Sequence, residues 1–67
     1  MARGTVKWFS DQKGYGFILA EGQQEVFVHH SVIEGRGFRT LHEGEEVELE
    51  IRTSDRGAEA AHVTRIL

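Results

Sequence analysis

Aromatic side chains are concentrated in the first part of this chain. Five of its six aromatics fall within residues 1–27, and a glycine separates Tyr15 from Phe17. Alternate residues of a β-strand face the same side, so Tyr15 and Phe17 would share one face of a strand. The same rule places Phe27 and His29 together on a face of another strand. Rings gathered on a surface in this way can stack against flat apolar groups such as unpaired bases.

Two lysines and two glycines surround these rings in the sequence. Lys7 and Lys13 lie beside the aromatics and can meet phosphates. Gly14 and Gly16 flank Tyr15, and their lack of side chains would let a base approach the ring closely. Plainer explanations exist, since aromatics often belong to the core and lysines are usually solvated. An exposed aromatic patch on a chain of 67 residues nonetheless favours a binding site.

Short strands are the elements that must position these residues. Runs rich in Val, Ile, Phe and Thr alternate with Gly, Asp and Ser, which is typical of strands and turns. We predict five strands, at about 4–9, 15–20, 25–29, 46–52 and 58–67, with at most one helical turn at 31–34 and a long loop over 35–45. This pattern predicts an all-β fold, a five-stranded antiparallel Greek-key barrel in a single domain over residues 1–67.

The interior of such a barrel would be aliphatic. The residues predicted to fill it are Ile18, Val26, Val28, Val47, Leu49, Ile51 and Val63. Strand alternation then leaves Tyr15, Phe17 and Phe27 outside. Trp8 does not fit this alternation, because it lies two residues after Val6 and would share the inward face with it. The first strand needs a bulge or a twist if Val6 is buried and Trp8 is exposed.

Charge is distributed unevenly along the chain. The net charge is −3, which argues against binding duplex DNA through a basic face. Residues 1–39 carry five basic and four acidic side chains, whereas residues 40–67 carry three basic and seven acidic ones. The aromatics and the positive charge therefore share one part of the chain.

Several classes of site and protein are not expected. The chain has no cysteine, which excludes disulfides and cysteine-ligated metals. His29 and His30 are adjacent in a predicted strand and should point to opposite faces, so we expect no metal or other cofactor. No nucleophile–base pair is visible, so we do not expect an enzyme. We also find no span of about 20 apolar residues and no signal-peptide pattern, and we expect a cytoplasmic monomer without membrane contact.

Several segments together resemble the cold-shock domain. KGYGFI at residues 13–18 is similar to the first ribonucleoprotein motif of that family, and VFVH at 26–29 is similar to the second. GTVKWF at 4–9 resembles its first strand, GRGFRTL at 35–41 the loop after its third strand, and AHVT at 61–64 its last strand. The resemblance runs from residue 4 to residue 63, nearly the whole chain, and the linked spacing of the motifs makes it specific.

The resemblance implies an oligonucleotide-binding barrel that binds single-stranded RNA and DNA with low sequence selectivity and some preference for pyrimidines. It implies roles as RNA chaperone, transcription antiterminator or translation modulator, and it favours an exposed Trp8. By the family's pattern, the nucleic-acid-binding surface comprises Lys7, Trp8, Phe9, Lys13, Tyr15, Phe17, Phe27, His29, His30 and Phe38, with Arg56 near its edge.

Three positions depart from the family's pattern. The family commonly has Phe where this chain has His30, Asn where it has Ser10, and Pro where it has Ala58. His30 alters one stacking platform, because imidazole is smaller than a phenyl ring although it still stacks. A different class remains open, a small β-barrel module that uses the aromatic patch to bind peptides. The neighbouring lysines and the alternation with glycine favour nucleic acid over this alternative.

Overall fold

A computed structural model describes residues 1–35 and 40–66 of the chain, and it is all-β. Its strands are β1 (Ala2–Ser10), β2 (Tyr15–Ala20), β3 (Gln24–His29), β4 (Glu46–Ser54) and β5 (Gly57–Arg65). Two 3₁₀ turns, Glu21–Gln23 and His30–Val32, follow β2 and β3. The strands close a barrel in the order β1-β2-β3-β5-β4, which confirms the predicted fold class.

No helix in the described part of the chain is long and apolar enough to cross a membrane.

Strand β1 joins the two halves of the barrel. It pairs antiparallel with β2 and, through its first residues, with β4. The barrel closes where β3 meets β5 in a parallel pair, with Phe27 opposite Glu59. This pair is the exception to the antiparallel pattern, since β2–β3 and β4–β5 are antiparallel as well.

The core is aliphatic, as the strand alternation predicts. Its buried members are Val6, Ile18, Ala20, Val26, Val28, Ile33, Leu41, Val47, Leu49, Ala60 and Val63. Six of the seven predicted interior residues are among them. The exception, Ile51, packs against the core but stays partly exposed, at the point where the β4–β5 register shifts. None of the described aromatic rings is fully buried, and of these rings Phe9 alone packs against the core.

An irregularity in β1 resolves the conflict between Val6 and Trp8. Val6 pairs with Ile18 and Trp8 pairs with Phe17, so Lys7 is an extra residue between two neighbouring pairs. Such a bulge reverses the alternation of faces beyond it. Val6 is accordingly 1% exposed and Trp8 38% exposed. The predicted bulge is confirmed.

Candidate nucleic-acid interface

Four rings form one continuous aromatic cluster on the outside of β1, β2 and β3. We define the aromatic cluster as Trp8, Tyr15, Phe17 and Phe27. The ring centroid of Trp8 lies 5.9 Å from that of Tyr15 and 5.6 Å from that of Phe17. Phe27 lies 5.6 Å from Tyr15 and 5.8 Å from Phe17. These spacings are those of tilted and edge-to-face aromatic contacts, which hold the rings in place while leaving faces open.

Strand parity explains why these rings point outward. In β2, Gly16 and Ile18 are buried, so Tyr15 and Phe17 face the other side. Phe27 of β3 lies between buried Val26 and Val28 and pairs directly with Phe17. The sequence prediction that these three aromatics stand together outside the barrel is confirmed.

The glycines beside Tyr15 have a different role from the predicted one. A Cβ on Gly16 would lie 2.2 Å from the carbonyl oxygen of Trp8 and 2.7 Å from Cα of Phe9. Gly16 is therefore needed for the close approach of β1 and β2, not for the approach of a base. Gly14 adopts a φ of +76° in the turn between these strands, and a Cβ there would meet the ring of His30 at 2.7 Å.

His29 and His30 lie together, so the prediction that they point to opposite faces was wrong. Their ring centroids are 4.4 Å apart. β3 ends at His29 and a 3₁₀ turn begins at His30, which interrupts the strand alternation. The backbone N–H of Ser31 donates to Nδ1 of His29 over 3.2 Å, so His29 caps this turn. Two rings supply two ligands, and the described residues contain no group of three that could hold a metal ion.

Two other predicted aromatics stand apart from the aromatic cluster. Phe9 is partly buried and packs against the hydrophobic core, so it offers less surface to a base than the four clustered rings. Its binding role stays a prediction. Phe38 lies outside the described residues.

The cations near the aromatic cluster differ in their partners. Lys7 donates to Glu25 in an exposed ion pair, so a phosphate would have to compete with this carboxylate. Lys13 lies in the turn before Tyr15, and Arg56 lies in the turn between β4 and β5. Within the described ranges, neither Lys13 nor Arg56 forms a side-chain ion pair. Among the lysines and arginines of the described ranges, these two would meet a phosphate without competition from a paired carboxylate.

One row of paired residues crosses all five strands. Trp8 pairs with Phe17, Phe17 with Phe27, Phe27 with Glu59, and Glu59 with Arg52. The row begins with three aromatic rings and ends in an ion pair. Sequence reasoning missed Glu59 and Arg52, because their place depends on the pairing of β3 with β5.

A groove borders this row beside Phe17 and Phe27. Its volume is about 380 Å³, and its wall includes Glu25, Glu59 and Arg56. The alternation of faces along a strand could have placed Glu25 beside the groove from the sequence, since Glu25 lies two residues before Phe27 in β3 and shares its face. The groove extends the aromatic cluster into a concave, charged end.

Comparison with known proteins agrees with this geometry. The family model of the "'Cold-shock' DNA-binding domain" matches residues 2–66. The chain belongs to the cold-shock domain family. Cold shock protein CspB of Bacillus caldolyticus is 54% identical over 66 residues, which cover 98% of this chain and 100% of that protein. Cold shock-like protein CspLB of Listeria monocytogenes is 56% identical with the same coverage. Cold shock-like protein CspD of Bacillus cereus is 55% identical, covering 97% of this chain and 98% of that protein.

Membership of the cold-shock domain family decides whether this chain belongs to the nucleic-acid-binding proteins or to the enzymes. Cold-shock domains are nucleic-acid-binding proteins that act on single strands and are not enzymes. The expectation of a non-enzymatic protein is therefore confirmed. In this cold-shock domain, the aromatic cluster lies on the β1, β2 and β3 face that carries the segments similar to the ribonucleoprotein motifs.

Proposed function

We propose that this cold-shock domain binds single-stranded RNA and DNA by stacking unpaired bases on the aromatic cluster. Low sequence selectivity is expected, because every base has a face that can stack. The observation that carries the proposal is the contiguity of four outward rings, with neighbouring centroids between 5.6 and 5.9 Å apart. A nucleic-acid strand laid across them would meet one ring after another. We also propose a preference for pyrimidines, as in the family's pattern, and action as a monomer.

Stacking is the larger energetic contribution and charge the smaller one. Base–aromatic stacking contributes about 1–3 kcal/mol per base, so four rings would give about 4–12 kcal/mol before the costs of binding. Association and the ordering of the strand remove a large part of that gain. Lys13 and Arg56 would then hold the backbone without dominating the affinity.

The same contacts discriminate against duplexes. In a duplex the bases already stack on one another, so their faces are not open to the rings of the aromatic cluster. A duplex must be bound through its phosphates, which demands many cations. The net charge of −3 does not supply such a surface.

The proposed cellular roles follow from single-strand binding. A protein that binds unpaired bases and not paired ones favours open RNA by mass action, without consuming ATP. Holding RNA open would make the protein an RNA chaperone. The same action on a nascent or messenger RNA would antagonise transcription terminators or modulate translation. These roles place the protein in the cytoplasm, where such RNA is found.

The fluorescence of Trp8 tests the proposal directly. Trp8 is the single tryptophan and lies within the aromatic cluster, so a stacked base should quench its emission. We expect saturable quenching by a deoxythymidine heptamer and none by duplex DNA of equal length at the same concentration. Quenching by neither would contradict the proposal and favour peptide binding by the aromatic cluster. Equal quenching by both would contradict the discrimination against duplexes.

A further inference from the structure

The carboxylate of Glu59 is fixed at the end of the aromatic row. Glu59 of β5 pairs with Phe27 of β3, which brings a carboxylate beside the last ring of the row. Nε of Arg52 donates to Oε1 of Glu59 over 2.9 Å, and the Glu59 side chain is 26% exposed. An ionised carboxylate has about four lone-pair sites, so the bond to Arg52 leaves acceptor capacity for a further donor.

The groove beside this carboxylate has the size and the walls of a small-ligand site. Its volume of about 380 Å³ falls within the range of about 300–1,000 Å³ typical of such sites. Phe17 and Phe27 supply flat apolar walls, and Glu25 and Glu59 supply acceptors. A base stacked on Phe27 would have one edge facing Glu59.

We propose that this groove reads the edge of a base, with Glu59 accepting a hydrogen bond from the exocyclic amine of cytosine or adenine. Carboxylates recognise cytosine through its N4 amine. Thymine and uracil carry a carbonyl oxygen in place of that amine, and this oxygen would face the carboxylate with like partial charge. The inference rests on the proposed single-strand binding, to which it adds a preference for amino-bearing bases.

The charges around the groove are compatible with a nucleic-acid strand despite the two carboxylates. Lys7 neutralises Glu25, and Arg52 neutralises Glu59. Arg56 adds a cation on the wall of the same groove, where it can meet the phosphate that accompanies the bound base. The carboxylates therefore act as acceptors without making the groove repel the backbone.

The test compares heptamers of deoxycytidine and deoxythymidine on three proteins: the unmodified chain, Glu59→Gln and Glu48→Gln. Glu48 is a matched control, because it is also a carboxylate paired with an arginine, Arg3, but lies outside the groove. We expect the ratio of the thymidine Kd to the cytidine Kd to fall about five-fold in Glu59→Gln, the equivalent of one hydrogen bond. The amide can accept from the amine of cytosine but can also donate to the carbonyl oxygen of thymine, so it no longer discriminates between them. Glu48→Gln should keep the original ratio.

A third oligomer isolates the amine itself. A heptamer of 2-pyrimidinone deoxynucleoside has the cytosine ring without its exocyclic amine. On the unmodified chain it should lose the advantage of the cytidine heptamer. On a further variant, Glu59→Leu, whose side chain has no hydrogen-bond acceptor, the two should bind alike. An unchanged ratio in Glu59→Gln, or equal binding of cytosine and 2-pyrimidinone by the unmodified chain, would overturn this inference alone. Binding of no heptamer by the unmodified chain would overturn the proposed function as well.

Discussion

Contacts of its backbone and of its ring fix the position of His30 beside the turn between β1 and β2. Its backbone N–H donates to the carbonyl oxygen of Gly14 over 2.8 Å, which fixes it against the turn between β1 and β2. Its ring lies against that of His29 and would contact any side chain added at Gly14. We propose that the imidazole adds to the stacking surface, with a smaller ring than the phenyl group common in the family.

Replacing His30 by phenylalanine should strengthen single-strand binding. The larger ring offers more stacking area at the same place, and we expect the Kd for a deoxythymidine heptamer to fall about three-fold. His42→Phe is the control, because His42 is exposed in the segment before β4 and makes none of the ring contacts of the aromatic cluster. A titration in which both variants bind like the unmodified chain would mean that His30 does not contact bases.

The sequence predicts which side chains of one strand share a face, but it does not predict contacts between residues that are far apart in the chain. Alternation within β2 and β3 was enough to put Tyr15, Phe17 and Phe27 on one outer face. The ion pair of Lys7 with Glu25 joins residues 18 positions apart and depends on the pairing of strands. Glu59 reaches Phe27 through the parallel pairing of β3 with β5, for which the sequence carries no local signal.

At the scale of the elements, the contact between β1 and β2 holds the aromatic cluster in register. The bulge at Lys7 turns Trp8 outward, and Gly16 lets the two strands approach at that point. The sequence predicted the strands to within a few residues, although β1 begins at Ala2 and β4 extends to Ser54. Hydrophobic alternation determines where a strand lies, but frayed or polar ends carry a weaker pattern.

Substituting alanine for Gly16 should destabilise the barrel. The added Cβ would lie 2.2 Å from the carbonyl oxygen of Trp8, so β1 and β2 must separate. We expect a loss of about 3 kcal/mol in the free energy of unfolding, measured by chemical denaturation. Gly22→Ala is the control, since a Cβ there meets nothing within 4 Å but must adopt a φ of +80°. It should cost about 1 kcal/mol, and equal losses in the two variants would contradict the close-approach role of Gly16.

At the scale of the whole molecule, an acidic protein must bind an anionic ligand. The net charge of −3 is concentrated in the second part of the chain, where Glu46, Glu48 and Glu50 alternate with buried residues along β4. The aromatic cluster lies on β1, β2 and β3, with Lys13 in the turn between the first two. Binding is therefore expected to depend on where charge lies rather than on its sum.

Salt should weaken binding only modestly. With two to four phosphates neutralised and a slope of about −0.7 for each, log K should fall with log salt concentration at about −1.4 to −2.8. Lys13→Ala should make this slope shallower by about 0.7, because one phosphate contact is lost. Arg3→Ala should leave it unchanged, since Arg3 pairs with Glu48 away from the aromatic cluster. A slope near −7, as for ten phosphates, would contradict a mechanism led by stacking.

Two adjacent residues of β3 test the central claim that the outward rings bind bases and the aliphatic residues hold the barrel. Phe27 faces out and Val28 is 0% exposed. The decisive measurement is the affinity of Phe27→Ala for a deoxythymidine heptamer, with unfolding followed in parallel. We predict a loss of at least about ten-fold in affinity, and a smaller loss of stability than the roughly 2 kcal/mol expected for Val28→Ala. Phe27→Ala protein that is folded and binds with unchanged affinity would contradict the account.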